Sequence, residues 1–250
     1  MELIREIITK RKIYTLFQPV HDLRKGEIIG YEALTRGPAG PLQAAANLFH
    51  AAAAHGLRTT LEMLCFRRAL EDAGFIPPGR LLFLNFHPIT LAEHWEAILD
   101  DLGGLRRQAV IEITESAGQI RFCAKAQEQL RAAGVRIAMD DVGAGDRALA
   151  NMCEFPADFL KLDRSFIEGL MKLKNGAADR YRSMVRTLVD YAQRAGIEVI
   201  AEGVETEKQL LETTMAGIHL VQGFYFAKPR PAEHWARNAP TMERQAANRG

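Results

Sequence analysis

Short apolar runs, each followed by a helical pattern, constrain this chain more than any single residue does. Runs of strand length fall at Tyr14–Val20, Ile28–Leu34, Leu81–Phe86, Ala109–Thr114, Val135–Met139, Phe159–Leu162, Ile197–Ala201 and His219–Gln222. Between them the sequence predicts helices over Pro41–His55, Thr59–Ala73, Leu91–Asp101, Gly118–Ala133, Ala148–Met152, Ser165–Arg194 and Glu207–Ala216. In the second of these, Leu61, Leu64, Cys65 and Ala69 share one face. Ala133-Gly134 and Ala195-Gly196 read as helix C-caps placed just before a strand. Strands alternating with helices imply a parallel sheet. Eight strands in 250 residues fit an α/β fold of the TIM type, a closed (β/α)8 barrel.

One connection departs from that rule. Only His21–Glu27 separates the first two strands. A parallel crossover takes roughly a dozen residues or more, so these two strands should form an antiparallel hairpin. The expectation is therefore a modified TIM-type (β/α)8 barrel with an antiparallel first strand. Residues 1–237 make one domain, and the polar segment 238–250 is expected to be a disordered tail.

Charge narrows the partners. The 32 Lys+Arg and 31 Asp+Glu leave a formal net charge of +1, which argues against a broad basic face for polymeric nucleic acid. Cys65, Cys123 and Cys153 form no CxxC pair and read as reduced core thiols of a cytoplasmic protein. No apolar run is long enough to cross a bilayer, and Met1-Glu2-Leu3 does not begin a signal peptide. A sensor or membrane region would lie outside this chain.

The working face of such a barrel is the C-terminal end of its strands. Glu32 stands at the end of the second strand and Asn85 at the third. The fourth brings Glu112, Thr114 and Glu115, and the fifth Asp140 and Asp141. Lys161 and Asp163 follow on the sixth, Glu202 and Glu205 on the seventh, and Gln222 on the eighth. Any one of these acids reads equally as a helix N-cap or a solvated loop carboxylate. As a set they would repel one another on one barrel mouth unless a cation cancels them. Carboxylates plus one amide carbonyl select Mg²⁺ or Mn²⁺ over zinc.

Histidine offers no competing metal site. There is no HExxH, His87 precedes Pro88 at a helix start, and His219 reads as a core strand residue. Asp140 and Asp141 are adjacent, so both can face one cluster only where the strand ends and the chain turns, which Gly143 and Gly145 permit. Such a pair can bridge two metals about 3.5–4 Å apart, the spacing used for in-line displacement at phosphorus. Lys161 reads either as a counter-ion or as the group that orients the attacking water. The carboxylates around it should raise its pKa and disfavour a base role. Arg36 suits either a substrate phosphate or a surface ion pair. A Schiff-base aldolase on Lys161 is a third possibility, made unattractive by the same carboxylates.

The ordered runs YEALTRG, LNFHP, IEITE, DDVGAG, KLD, AEGVET and QGFYFAKP, with FQPV at Phe17–Val20, resemble the EAL-domain family over roughly residues 10–235. The resemblance implies a bacterial cyclic di-GMP phosphodiesterase that opens its substrate to linear pGpG by a two-metal mechanism with a metal-activated water, using Mg²⁺ or Mn²⁺. It implies Glu32, Asn85, Glu112 and Asp140 as first-metal ligands, and Asp140, Asp141 and Glu202 as the second set. By the same resemblance Lys161 contacts the water and Glu115 steadies the loop after the fifth strand. Gln18, Leu34, Arg36 and Gln222 match substrate-contacting positions. A homodimer is implied, as are sensor or cyclase domains in a longer natural protein. Where many members read DDFGTGYSSL, this chain reads DDVGAGDRAL. The aspartates and both glycines are kept, but the altered loop admits a rival reading, a catalytically weak or silent cyclic di-GMP receptor.

Overall fold

A computed structural model describes residues 2–114, 120–142, 155–172 and 176–238. Its strands are β1 (Tyr14–Asp22), β2 (Glu27–Arg36), β3 (Leu81–Phe86), β4 (Ala109–Thr114), β5 (Arg136–Val142), β6 (Phe159–Leu162), β7 (Glu198–Ala201) and β8 (Leu220–Val221). They close a barrel in chain order. β1 is antiparallel to both β2 and β8, and every other neighbouring pair is parallel. The hairpin expected from the short first connection is present, with Gln18 facing Glu32 across it.

The helices are α1 (Glu2–Thr9), α2 (Ala45–Ala54), α3 (Arg58–Asp72), α4 (Pro88–Leu102), α5 (Ala124–Ala132), α6 (Arg164–Lys172), α7 (Gly176–Arg194), α8 (Glu207–Met215) and α9 (232–238). Most follow from local chemistry. His87 caps α4 by accepting the Ile89 N–H at 3.3 Å, with Pro88 at the first helical position. Thr206 and Gln209 form a reciprocal capping box at α8. Gly134 and Gly196 take φ of 88° and 73° at the predicted helix ends.

Several expectations need correction. α1 is absent from the sequence reading, although Ile4 and Ile7 are spaced to bury one face and do so against Leu48 and Leu61. The long helix expected over Ser165–Arg194 is two helices, α6 and α7. Within the expected helix Gly118–Ala133, Ile120–Cys123 form a 3-10 turn and the α-helix begins at Ala124, while 118 and 119 lie outside the described residues. His219 lies before β8 and is half-buried, so it is not a core strand residue. The helix expected at Ala148–Met152, the thiol of Cys153 and residues 239–250 lie outside the described residues; Asn238 is still helical.

Inside the barrel, Val20, Leu81, Phe83, Val110, Ala138, Phe159, Ile200 and Leu220 pack as one apolar plug. Phe83 and Phe159 meet edge to face at 5.5 Å. This layer floors the polar site above it. A larger cluster fills the space between sheet and helices, where Trp235 is fully buried and donates to the Phe17 carbonyl at 2.9 Å.

The seam between β1 and β8 rests on two residue pairs, one of them His21 with Val221. His21 is buried, stacks on Phe226 at 4.5 Å, and has no hydrogen-bond partner for either ring nitrogen among the described residues. Burial pushes its pKa down from 6.5 to about 4. The unfolded chain therefore takes up this proton first as pH falls. Stability from His21 is complete above about pH 6.5 and is lost progressively toward pH 4, by about 3 kcal/mol in all. Urea melts between pH 4.5 and 7.5 should show that slope, and His21→Phe should flatten it; an unchanged slope in the variant would rule out His21 as its source.

Candidate active site

The barrel register brings the polar residues to the same end of the strands. Asn85 pairs with Glu112 on β3 and β4, Thr114 with Asp140 on β4 and β5, and Lys161 with Ile200 on β6 and β7. Lys161 points inward and is 1% exposed. Its Nζ lies 2.6 Å from Glu112 Oε1, 2.7 Å from Glu202 Oε1, 3.2 Å from Asp140 Oδ1 and 3.6 Å from Glu32 Oε2. The acids are thus gathered around an ammonium. Among the described residues, no group of three or more His, Cys, Asp or Glu side chains is placed to hold a metal ion as the side chains stand.

Glu32 is held from two sides. Asn85 Nδ2 donates to its Oε1 at 2.9 Å, and Gln222 Nε2 donates to its Oε2 at 2.6 Å. Gln222 Nε2 also reaches Gln18 Oε1 at 3.2 Å, and Gln18 Nε2 donates to the Ala227 carbonyl at 3.1 Å. Leu34 and Arg36 are half-buried further along β2, and Arg36 Nη1 donates to the Thr35 carbonyl. Asp163 instead caps α6 through the Ser165 N–H, and Glu205 pairs with Arg164 at 2.8 Å, so neither joins the centre. Glu115 lies outside the described residues, as does the side chain of Asp141.

The electrostatics follow from burial and crowding. Burial, with the neighbouring Glu32 charge, pushes Glu112 well above the usual carboxylate range in spite of Lys161. Glu202 is also pushed up by burial, against the pull of Lys161. For Glu32 burial is overcome by Lys161 and by the amides of Asn85 and Gln222, which hold its pKa down. Burial would lower Lys161, but Asp140, Glu112, Glu202 and Glu32 hold it well above its ordinary value. Four acids share one ammonium, and two of them, Glu112 and Glu202, are pushed toward their neutral forms by burial and that crowding. Glu112 Oε2 is buried with no hydrogen-bond partner among the described residues. An all-oxygen donor set of four acids and one amide, with a carboxylate oxygen left without a hydrogen-bond partner among the described residues, fits a hard divalent cation.

Two clefts flank this centre and share Glu32, Leu34 and Asp140. One, of about 440 Å³, runs past Arg36 and Asn85 to Phe49 on α2 and Arg58 on α3. The other, of about 340 Å³, is bounded by Gln18, Arg164, Gln222 and the half-exposed ring of Phe224. Phe49, Arg58, Arg164 and Phe224 escaped the sequence reading. The first two sit on helices, so a search along strand ends passes over them; Arg164 and Phe224 lie one and two residues beyond strand-end positions that were read.

The loop after β7 is fitted between its neighbours. Val204 N–H donates to the Gln222 carbonyl at 3.2 Å, and Tyr225 N–H donates to the Val204 carbonyl at 3.0 Å. Gly223 lies so close to this loop that a Cβ there would fall 2.0 Å from the Val204 oxygen. This contact fixes Glu202 and Gln222 relative to each other.

A family model described as EAL domain matches residues 1–229. The cyclic di-GMP phosphodiesterase RocR of Pseudomonas aeruginosa is 36% identical over 180 residues, which cover 69% of this chain and 44% of that protein. A probable cyclic di-GMP phosphodiesterase of Escherichia coli, PdeB, is 28% identical over 245 residues, covering 94% of this chain and 46% of that one. This chain therefore spans less than half the length of these curated relatives. Among solved structures, the manganese and cyclic di-GMP complex of Klebsiella pneumoniae BlrP1 is 30% identical with a TM-score of 0.76, covering 88% of this chain and 57% of that one. With the barrel, the strand-end acids and the matched span in agreement, the chain belongs to the EAL domain family.

Proposed function

We propose that the protein is a cyclic di-GMP phosphodiesterase that hydrolyses its substrate to linear pGpG. The observation that carries this is the convergence of Glu32, Glu112, Asp140 and Glu202 on Lys161 at the C-terminal end of the barrel. Relatives named as phosphodiesterases for this nucleotide, and a neighbour solved with manganese and the nucleotide, support the substrate.

Glu32, Asn85, Glu112 and Asp140 would hold one Mg²⁺ or Mn²⁺, and Asp140, Asp141 and Glu202 a second. Ions there would neutralise the carboxylates and lower the pKa of the attacking water. The protein's own groups do the positioning. Asn85 and Gln222 fix the rotamer of Glu32, and the fully buried Lys161 donates its N–H bonds into the centre, where they can orient a water. Its raised pKa keeps it charged, so it serves as a donor rather than a base. The two clefts leave room for a nucleoside on each side of the reacting phosphate, with Arg36, Leu34, Gln18 and Gln222 facing them. The water oxygen bonds to phosphorus, the bond to the 3′-oxygen breaks, the proton the water gives up ends on that oxygen as a 3′-hydroxyl, and the ring opens to a terminal 5′-phosphate.

Residues 1–237 act as one barrel domain with 238–250 as a polar tail, in a cytoplasmic homodimer. Sensor or cyclase domains would belong to a longer natural protein, in keeping with the greater length of the relatives. Purified protein incubated with cyclic di-GMP and Mn²⁺ should release pGpG, resolved by ion-pair chromatography, and EDTA should stop it. Tight calorimetric binding of the nucleotide with no product at micromolar enzyme would instead assign a receptor.

A further inference from the structure

The position of Lys161 has a consequence for cation binding. Its ammonium is the group on which the four carboxylates converge, and it occupies the space between Glu112 and Asp140. The contacts of 2.6–3.6 Å are those of an ammonium with carboxylates, whereas Mg²⁺ draws its oxygens in to about 2.0–2.1 Å. A divalent ion bound to Glu32, Glu112 and Asp140 cannot share that space with Nζ, and like charges so close in a buried site repel strongly. Glu112 Oε2 is buried with no hydrogen-bond partner among the described residues.

We propose that Lys161 is the resident counter-ion of this centre, and that a divalent cation enters by displacing its ammonium from Glu112 and Asp140, so that the lysine sets the metal affinity of the site. The inference rests on the metal-dependent function proposed above. It assigns Lys161 a role before any substrate arrives: it keeps the cluster folded without metal and weakens metal binding in return. The flexible lysine stem, whose Nζ also reaches Glu202 just after β7, lets the ammonium shift away from Glu112 and Asp140 when the first cation binds.

The test needs no turnover. Mn²⁺ affinity is measured by calorimetry on wild type, Lys161→Met and Lys161→Arg, without nucleotide. Removing the charge should tighten Mn²⁺ binding about tenfold or more, lower the melting temperature of the metal-free protein, and enlarge the upshift that Mn²⁺ produces. Lys161→Arg should stay near wild type. Should Lys161→Met fail to fold without metal, the wild type carries the test through ¹⁵N-lysine spectra, with Lys161 assigned by its loss in Lys161→Arg. Saturating Mg²⁺ should move that ammonium resonance. Equal or weaker Mn²⁺ binding by Lys161→Met, or a resonance that Mg²⁺ leaves in place, overturns the proposal while leaving the phosphodiesterase assignment standing. Absence of Mn²⁺ binding in both wild type and Lys161→Met overturns both.

Discussion

Glu32→Ala is expected to lower kcat/KM for cyclic di-GMP hydrolysis by about 10³-fold or more, the scale of losing one principal electrostatic element of an active site. Glu32 is the carboxylate with the most fixed geometry in the centre, held by Asn85 and Gln222 and facing Lys161. Its pKa is held down by Lys161 and the two amides against the effect of burial, whereas Glu112 and Glu202 are pushed up. Stability should change far less than activity. The substitution removes hydrogen bonds from two amides but also relieves repulsion with Glu112, and these effects oppose each other. Steady-state kinetics paired with a thermal melt checks both parts. Activity within tenfold of wild type, in a protein that melts normally, would remove Glu32 from the centre of the mechanism.

The second large effect concerns the frame. At Gly223 an added Cβ would lie 2.0 Å from the Val204 oxygen, 2.4 Å from its nitrogen and 2.6 Å from its carbonyl carbon. All three are backbone atoms, and that backbone is tied to Gln222 and Tyr225 by hydrogen bonds. No rotamer change can relieve the clash, so Gly223→Ala should cost about 3 kcal/mol or more. It should also cut activity beyond the loss of folded protein, because the contact aligns Glu202 with Gln222. Gly74→Ala supplies the control, since nothing lies within 4 Å of a Cβ there. Equal denaturant midpoints for the two variants would contradict the close approach.

Much of the fold could be read from the sequence because two signals are local. Strand length and helix periodicity locate the barrel elements, and the brevity of His21–Glu27 alone specifies the reversed first strand, as observed in the β1–β2 pairing. The strand ends likewise identify residues that the barrel then brings together: Glu32, Glu112, Asp140, Lys161 and Glu202 in the centre, with Asn85 and Gln222 against Glu32. What the sequence withholds depends on three-dimensional packing. α1 is short, so the Ile4/Ile7 spacing is a weak local signal, and the helix gains its order from burying those residues against α2 and α3. α6 and α7 both carry helical patterning, so their sequence reads as one helix. Arg58 and Phe49 reach the cleft from helices, and only the folded barrel shows which helical faces border its mouth. The strand ends already set Lys161 among carboxylates, as observed, but which oxygens come within reach of Nζ is visible only in the folded barrel.

A crystal grown with cyclic di-GMP and Ca²⁺ tests the central claim most directly; BlrP1 has been solved as a calcium complex with this nucleotide. Density for a cation coordinated by Glu32, Asn85, Glu112 and Asp140, with a phosphate of the nucleotide against it and the two bases in the flanking clefts, is the predicted result. A nucleotide bound elsewhere on the barrel, with Lys161 still filling the space among these carboxylates, would contradict it.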